Sequence, residues 1–320
     1  MDDLLSLALR ADESHLRRVD ELLAPDGRQA PEFWAPGVCR ELYVTVPDAE
    51  IRVFHSRPSG PAARRPIVLV PGWGSIPQGF QGFYELVHGK AELYYLETRE
   101  KLSSRIRGRK PDMSVGRSAR DIQAALEALG LAGKRDFVLV GTCWGASMIL
   151  EGLLTGVLDA PTVILADPMH ALWFSKWVLR WISPLLPSAV VRLLRPILRQ
   201  ALLGDMKETA QKQRTFAFVN SADIWKWKKS AEAARDFELF GRLPTVGREL
   251  FVVNGTADKV HDQRHYPRIA RELPGGRFLY VPVDEAHRER MFAAVALEFA
   301  RRSAADGLPA SLAGFEKKVR

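Results

Sequence analysis

The chain has 320 residues, a formal net charge of +8, 47% hydrophobic and 26% charged residues. Those proportions are those of a soluble globular protein, and the length suits one large α/β domain or two small ones, not a disordered or fibrous chain. No apolar run is long enough to span a bilayer, and two cysteines, Cys39 and Cys143, leave no disulfide framework and make a reducing cytoplasm the expected compartment.

The N-terminus begins with acids and lacks an apolar h-region, so it does not read as a secretory signal. Residues 1–23 have a helical pattern within an extension reaching to residue 40, and the Pro/Gly-rich stretch after them reads as a loop. Two short β-type runs, LYVTV (42–46) and IRVFHS (51–56), flank the turn PDAE and predict an antiparallel hairpin. Continuous apolar runs follow: PIVLV, AELYYL, DFVLV, PTVILA, ELFVVN and RFLYV. Such runs suit strands buried on both faces. Helix-type segments at 118–129, 146–158, 263–272 and 289–302 alternate with them, which predicts an α/β fold with a mostly parallel central sheet and helices on both faces.

The interval 169–248 breaks this alternation. It is helical in pattern, too long for one crossover, and predicts a cap inserted between core segments 41–168 and 249–303, over the strand ends where open sheets bind ligands. Residues 304–320 read as a loosely held tail. Between residues 169 and 230 eleven basic residues face three acids, and five of the eight tryptophans fall there. Trp173, Trp177 and Trp181 recur every four residues and predict one indole face on a helix. That face either lines an acyl-substrate compartment, the favoured reading, or contacts an anionic membrane peripherally. A second basic cluster, from Arg99 to Lys110 and including Lys101, Arg105, Arg107 and Arg109, either is a solvated loop, the favoured reading, or attracts a substrate's phosphate or carboxylate, as in a coenzyme A thioester.

The stretch DFVLVGTCWGASM (136–148) carries the chemistry. A strand-like run ends at Gly141, Cys143 follows, and a helix-like run resumes past Gly145. A nucleophile on a sharp strand–turn–helix needs small flanking residues, and the helix N-terminus favours a thiolate there. The bland alternative is a small buried hydrophobe at a tight turn.

The order of elements and this G-x-C-x-G motif resemble the α/β-hydrolase superfamily over residues 43–302, with cysteine where most members carry serine. The motif is similar to that of dienelactone hydrolases and polyhydroxyalkanoate synthases, although Ala146 stands where those families have a second glycine. The resemblance implies a Cys143–His287–Asp258 triad: His287, in DEAH after one strand, as general base, and Asp258, after FVVNG, as the acid that orients it. Asp167 is the main rival for the acid, with Asp262 and Asp284 behind it. The loop VPGWGS resembles the oxyanion loop, with Pro71 where many members have histidine; the backbone N–H groups of Trp73 and Trp144 are then the oxyanion donors.

Other signatures are absent. DEAH lacks an upstream phosphate-binding loop, GSIPQGF lacks its lysine, and no paired His/Cys spacing suits zinc. No cofactor, metal or nucleic acid is expected. The reading is a hydrolase for an ester, thioester or lactone of a lipophilic acyl group. An acyltransferase using the same triad, or a non-catalytic binding protein on the same fold, are the alternatives.

Overall fold

In the computed structural model, described for residues 7–24, 29–108, 110–134, 136–193, 195–197, 200, 209–255 and 262–319, one ten-stranded sheet organises the chain. The strands are β1 (Arg40–Val46), β2 (Ala49–Ser56), β3 (Ile67–Val70), β4 (Leu93–Leu96), β5 (Arg105–Ile106), β6 (Val138–Thr142), β7 (Thr162–Ala166), β8 (Glu249–Asn254), β9 (Gly275–Tyr280) and β10 (Glu316–Lys317). Their order is β1-β2-β4-β3-β6-β7-β8-β9-β10, with β5 beside β2. From β4 to β9 every pairing is parallel; β1, β2, β5 and β10 add antiparallel edges. The expected hairpin forms, with Asp48 at φ 62° in its turn.

The continuous apolar runs have a direct cause. Alternate residues of a strand point to opposite faces, and here both faces are covered. Leu139 packs with Ile122, Leu126 and Ile149 on one side, while Val138 and Val140 pack with Phe83, Met291 and Val295 on the other. The helices Val115–Ala128, Trp144–Leu154 and His265–Glu272 cover the first face; Glu13–Leu23, Gln81–Val87 and Arg288–Ala300 cover the second. Ser114 caps the Val115–Ala128 helix by accepting the Arg117 N–H at 3.1 Å, which sets its start upstream of the position predicted.

The tail is not loose. Leu312 and Phe315 are buried against the second face, and Glu316 and Lys317 pair with β9 while Arg277 bridges to Glu316 at 2.7 Å. Its few apolar residues are too sparse to advertise burial in the sequence.

The cap interval holds the helices Ser188–Leu193, Thr209–Asn220 and Ile224–Ala233, preceded by a π-helical turn at Val178–Ile182. A bridge between Ala171 and Glu238 ties its two ends together. Among the described residues, no helix is long and apolar enough to cross a membrane.

Candidate functional site

The central feature is the junction of β6 with the helix Trp144–Leu154. Cys143 occupies it with φ 51° and ψ −119°, outside the usual regions for a residue with a side chain. The strain is held by close backbone packing. A Cβ on Gly145 would lie 2.4 Å from the Val70 carbonyl oxygen, and one on Gly141 would lie 2.6 Å from the Ala146 Cα. The Cys143 N–H donates to the Ala166 carbonyl at 2.8 Å, and its own carbonyl accepts from Ala146 N at 3.1 Å. The side chain is half-buried, with Sγ 3.4 Å from Met169 Sδ. Met169 is fixed in turn, because Ser147 Oγ donates to its carbonyl at 2.6 Å. Trp144, the next residue, is buried edge-on against Phe237.

The loop after β3 runs alongside. A Cβ on Gly72 would lie 2.9 Å from that of Cys143, and the Gly72 N–H donates to Thr142 Oγ1 at 3.1 Å, so this loop and the β6–helix junction are stitched together. Trp73 packs on Trp227 at 4.5 Å between centroids and donates Nε1–H to Ser230 Oγ at 2.8 Å. Gly74, at φ 65°, has no room for a side chain because the Trp227 ring would be 2.2 Å from its Cβ. The cap helix Ile224–Ala233 thus sits directly on this loop.

Two buried lysines complete the support, and the first of them, Lys101, corrects the reading of the Arg99–Lys110 cluster as solvated. Lys101 Nζ bonds the Gly72 carbonyl and lies 3.1 Å from Glu100, which accepts from Thr98 Oγ1 at 2.7 Å. Lys226, on the cap helix, donates to the carbonyls of Lys101, Leu102 and Ser104 at 2.8, 3.2 and 2.6 Å. Arg99 is also buried. Burial opposes its charge, but Asp121 at 2.6 Å and Asp48 at 3.1 Å outweigh it and raise its pKa. Arg105 and Arg107 match the expectation, exposed and paired with Glu50, and Lys110 is exposed as well; Arg109 lies outside the described residues.

His287 is the N-cap of the helix Arg288–Ala300. Its Nδ1 lies 2.6 Å from Asp284 Oδ1, and its backbone N–H donates to the same oxygen at 2.9 Å. Burial pushes the Asp284 carboxyl up, but the bonds from the His287 ring and backbone and from the Ala286 N–H hold it below the usual range. Asp258, expected as the partner, lies outside the described residues, as does His261. Asp167, the rival acid, is engaged elsewhere. It is buried at the end of β7 with φ 49°, accepting from Asn254 Nδ2 at 2.7 Å and from Arg288 Nε at 2.7 Å. The residue after His287 is thereby locked to the strand beside the elbow. Asp262 forms an ion pair with Arg264 at 2.6 Å.

Trp173, Trp177 and Trp181 are 48%, 62% and 62% exposed, and the residue of this segment that turns inward is Leu179. Trp173 precedes the helical turn and stacks on Phe174. Among the described residues the three indoles are therefore turned largely outward. The spacing predicted one helix face for all three, but Trp173 lies before the helix, and spacing does not say which way side chains point.

Sequence reasoning missed Met169, Arg288, Lys101, Lys226 and Ser230. Each acts through a contact made by the fold, and none sits in a local pattern that announces it. Among the described residues no cluster of three or more His, Cys, Asp or Glu is suited to a metal ion.

Residues 67–301 match the model of the Alpha/beta hydrolase family. No curated protein gives a significant match. Among solved structures, the chain is similar to the enol-lactonase from Burkholderia xenovorans (16% identity, 82% of this chain and 100% of that chain, TM-score 0.65). It is also similar to a hydrolase from Pseudomonas aeruginosa (18% identity, 82% and 98%, TM-score 0.62) and to an esterase from Exiguobacterium antarcticum (16% identity, 82% and 100%, TM-score 0.62). At these identities the likeness is one of fold.

Proposed function

The chain belongs to the α/β hydrolase family, and from that premise we propose that it cleaves an ester, thioester or lactone of a lipophilic acyl group with Cys143 as nucleophile. The observation that carries the reading is the conformation of Cys143. A cysteine held at φ 51° between two glycines that admit no Cβ costs stability, and such strain persists where a nucleophile presented at the turn repays it.

In the proposed cycle His287 takes the thiol proton, and the thiolate attacks the acyl carbonyl. The N–H groups of Trp73 and Trp144 receive the oxyanion. Collapse expels the alcohol or thiol, protonated by His287, and leaves an acyl thioester on Cys143. Water, activated by the same imidazole, then releases the acid. Asp258 steadies the imidazolium, with Asp284 orienting the ring through Nδ1. Met169, whose Sδ lies 3.4 Å from Sγ, would then stand beside the acyl group.

Mass spectrometry after brief exposure to activated esters and acyl thioesters tests this. An acyl adduct on Cys143, missing in Cys143→Ala together with turnover, is the expected result. Full turnover in Cys143→Ala rejects the assignment. If the adduct is discharged by added alcohols faster than by water, the chain is an acyltransferase instead.

A further inference from the structure

The outer face of the cap has a composition that neither the fold nor the catalytic proposal explains. Residues 168–204 contain five basic residues and no acid. Within the described part, the turns at Val178–Ile182 and Ser183–Leu185 and the helix Ser188–Leu193 pack against the cap helix Ile224–Ala233. Leu179 goes inward, and the opposite side is open. Trp177 is 62% exposed, Trp181 62%, Leu185 81%, Leu193 79% and Ile197 64%. Lys176, Arg180 and Arg192 stand exposed among them, with Arg180 paired to Asp236. Soluble proteins rarely leave so much apolar surface uncovered on one element without a partner.

The chemistry of this face selects the partner. Indoles prefer the boundary between headgroups and acyl chains, aliphatic side chains insert just below it, and cations meet anionic headgroups. A second copy of the chain would bring two faces together on which Lys176 and Arg192 have few acids to meet beyond Asp236, already paired with Arg180, which opposes a symmetric dimer. We infer that the outer face of the cap is a docking surface for an anionic lipid bilayer, which presents an amphiphilic ester to the site below.

The second half of that inference rests on the proposed hydrolysis; the docking does not. The geometry links the two, because the opposite side of the same cap reaches the loop beside Cys143 through Trp73, Trp227 and Ser230.

The test uses the full chain carrying Cys143→Ala, so that docking is read without turnover. Its cosedimentation is measured with phosphatidylcholine vesicles, with and without phosphatidylglycerol. Binding is expected with the anionic vesicles, weakened by high salt, and weak with the neutral ones. Lys176→Gln and Arg192→Gln should each reduce the partition roughly fivefold. Leu185→Asp/Leu193→Asp should reduce it by about tenfold or more while hydrolysis of a soluble short-chain ester by the Cys143 form is unchanged. Both leucines are exposed, so unchanged thermal melting should accompany the loss. No binding to anionic vesicles, or binding that survives Leu185→Asp/Leu193→Asp, overturns the inference. A concentration-dependent dimer dissolved by that double substitution, without vesicle binding, would assign the face to a second copy and overturn it equally. Docking with no activity on any ester would leave the surface standing and reject the hydrolase reading instead.

Discussion

His287 and Asp284, three residues apart on one turn, approach to 2.6 Å between Nδ1 and Oδ1, and both side chains remain more than half exposed. An exposed carboxylate is screened by water and supports an imidazolium weakly compared with a buried one. Asp258→Asn is therefore expected to lower kcat/KM by about a thousandfold or more, and Asp284→Asn by about tenfold or less. Steady-state kinetics on one soluble ester decide the matter. The reverse order would move the acid role to Asp284.

The elbow makes a prediction about stability. A Cβ on Gly145 would meet the carbonyl oxygens of Val70 and Pro71 at 2.4 and 2.7 Å, both backbone atoms of a central strand and its exit. Neither can yield cheaply, so Gly145→Ala should cost about 2–4 kcal/mol. Gly116, near the start of the Val115–Ala128 helix, has the Arg120 guanidinium at 3.9 Å as its nearest obstacle. Gly116→Ala should be neutral or stabilise by up to about 1 kcal/mol. Urea unfolding midpoints of the two variants should move in opposite directions or at least differ by that margin.

Arg288 and Asp167 form a buried pair joining the helix behind His287 to the end of β7. Removing one partner leaves an uncompensated buried charge, at a cost of about 3–5 kcal/mol. Arg288→Met and Asp167→Asn should each destabilise strongly, and the double variant should lose much less than their sum. A simple additive result in a double-mutant cycle would show that the pair carries no coupling. If the pair positions His287, Asp167→Asn should also lower kcat and shift its acidic pH limb, with KM little changed.

The parallel sheet was legible because strands buried on both faces must be apolar at every position, as in VLV of β6 and VIL of β7. The tight strand-to-helix junction at Cys143 was legible because Gly141 and Gly145, two positions to either side, have no room for a Cβ. Charge, by contrast, does not report burial. Arg99 and Lys101 read as surface cations, yet Arg99 is neutralised by Asp48 and Asp121, which are 51 and 22 positions away. The indole spacing on the cap predicted one helix face, but Trp173 lies before the helical turn and spacing alone does not say which way the indoles point. The short spacing of Asp284 to His287 made them neighbours on the page, but their mutual bond depends on the turn before the Arg288–Ala300 helix.

His170 and His265 contact edge to face at 4.0 Å, with Phe240 stacked on His170. Burial lowers both pKa values below 6.5; for His265 the neighbouring His170 adds to this, while Asp262 opposes it in both and Glu238 opposes it in His170. The folded pair resists protons that the unfolded chain accepts. Its contribution is full above pH 6.5 and is lost as pH falls through that value toward the depressed folded values. Urea midpoints of the wild type should fall between neutral pH and mildly acidic pH, and His265→Gln should flatten that fall. Parallel slopes in the two proteins would remove the pair as the cause.

Lys226 offers the sharpest test of the contact between cap and site. It is 6% exposed and its ammonium satisfies three carbonyls of residues 101, 102 and 104. That same segment carries Lys101, which bonds the Gly72 carbonyl in the loop proposed to hold the oxyanion. Lys226→Met keeps the length and removes all three donors, leaving buried carbonyls without them. The expected loss is about 2–4 kcal/mol of stability. Lys229, on the same helix, is 43% exposed and reaches Glu232 at 3.0 Å, so Lys229→Met should cost no more than about 0.5 kcal/mol. If the latch only glues the cap down, the folded Lys226→Met enzyme should keep its kcat. If it also holds the 72–74 loop in register with Cys143, kcat should fall about tenfold or more while KM changes little, because the oxyanion interaction strengthens in the transition state. The second outcome is expected. An unchanged kcat, measured well below the melting temperature of the variant, would confine Lys226 to a structural role.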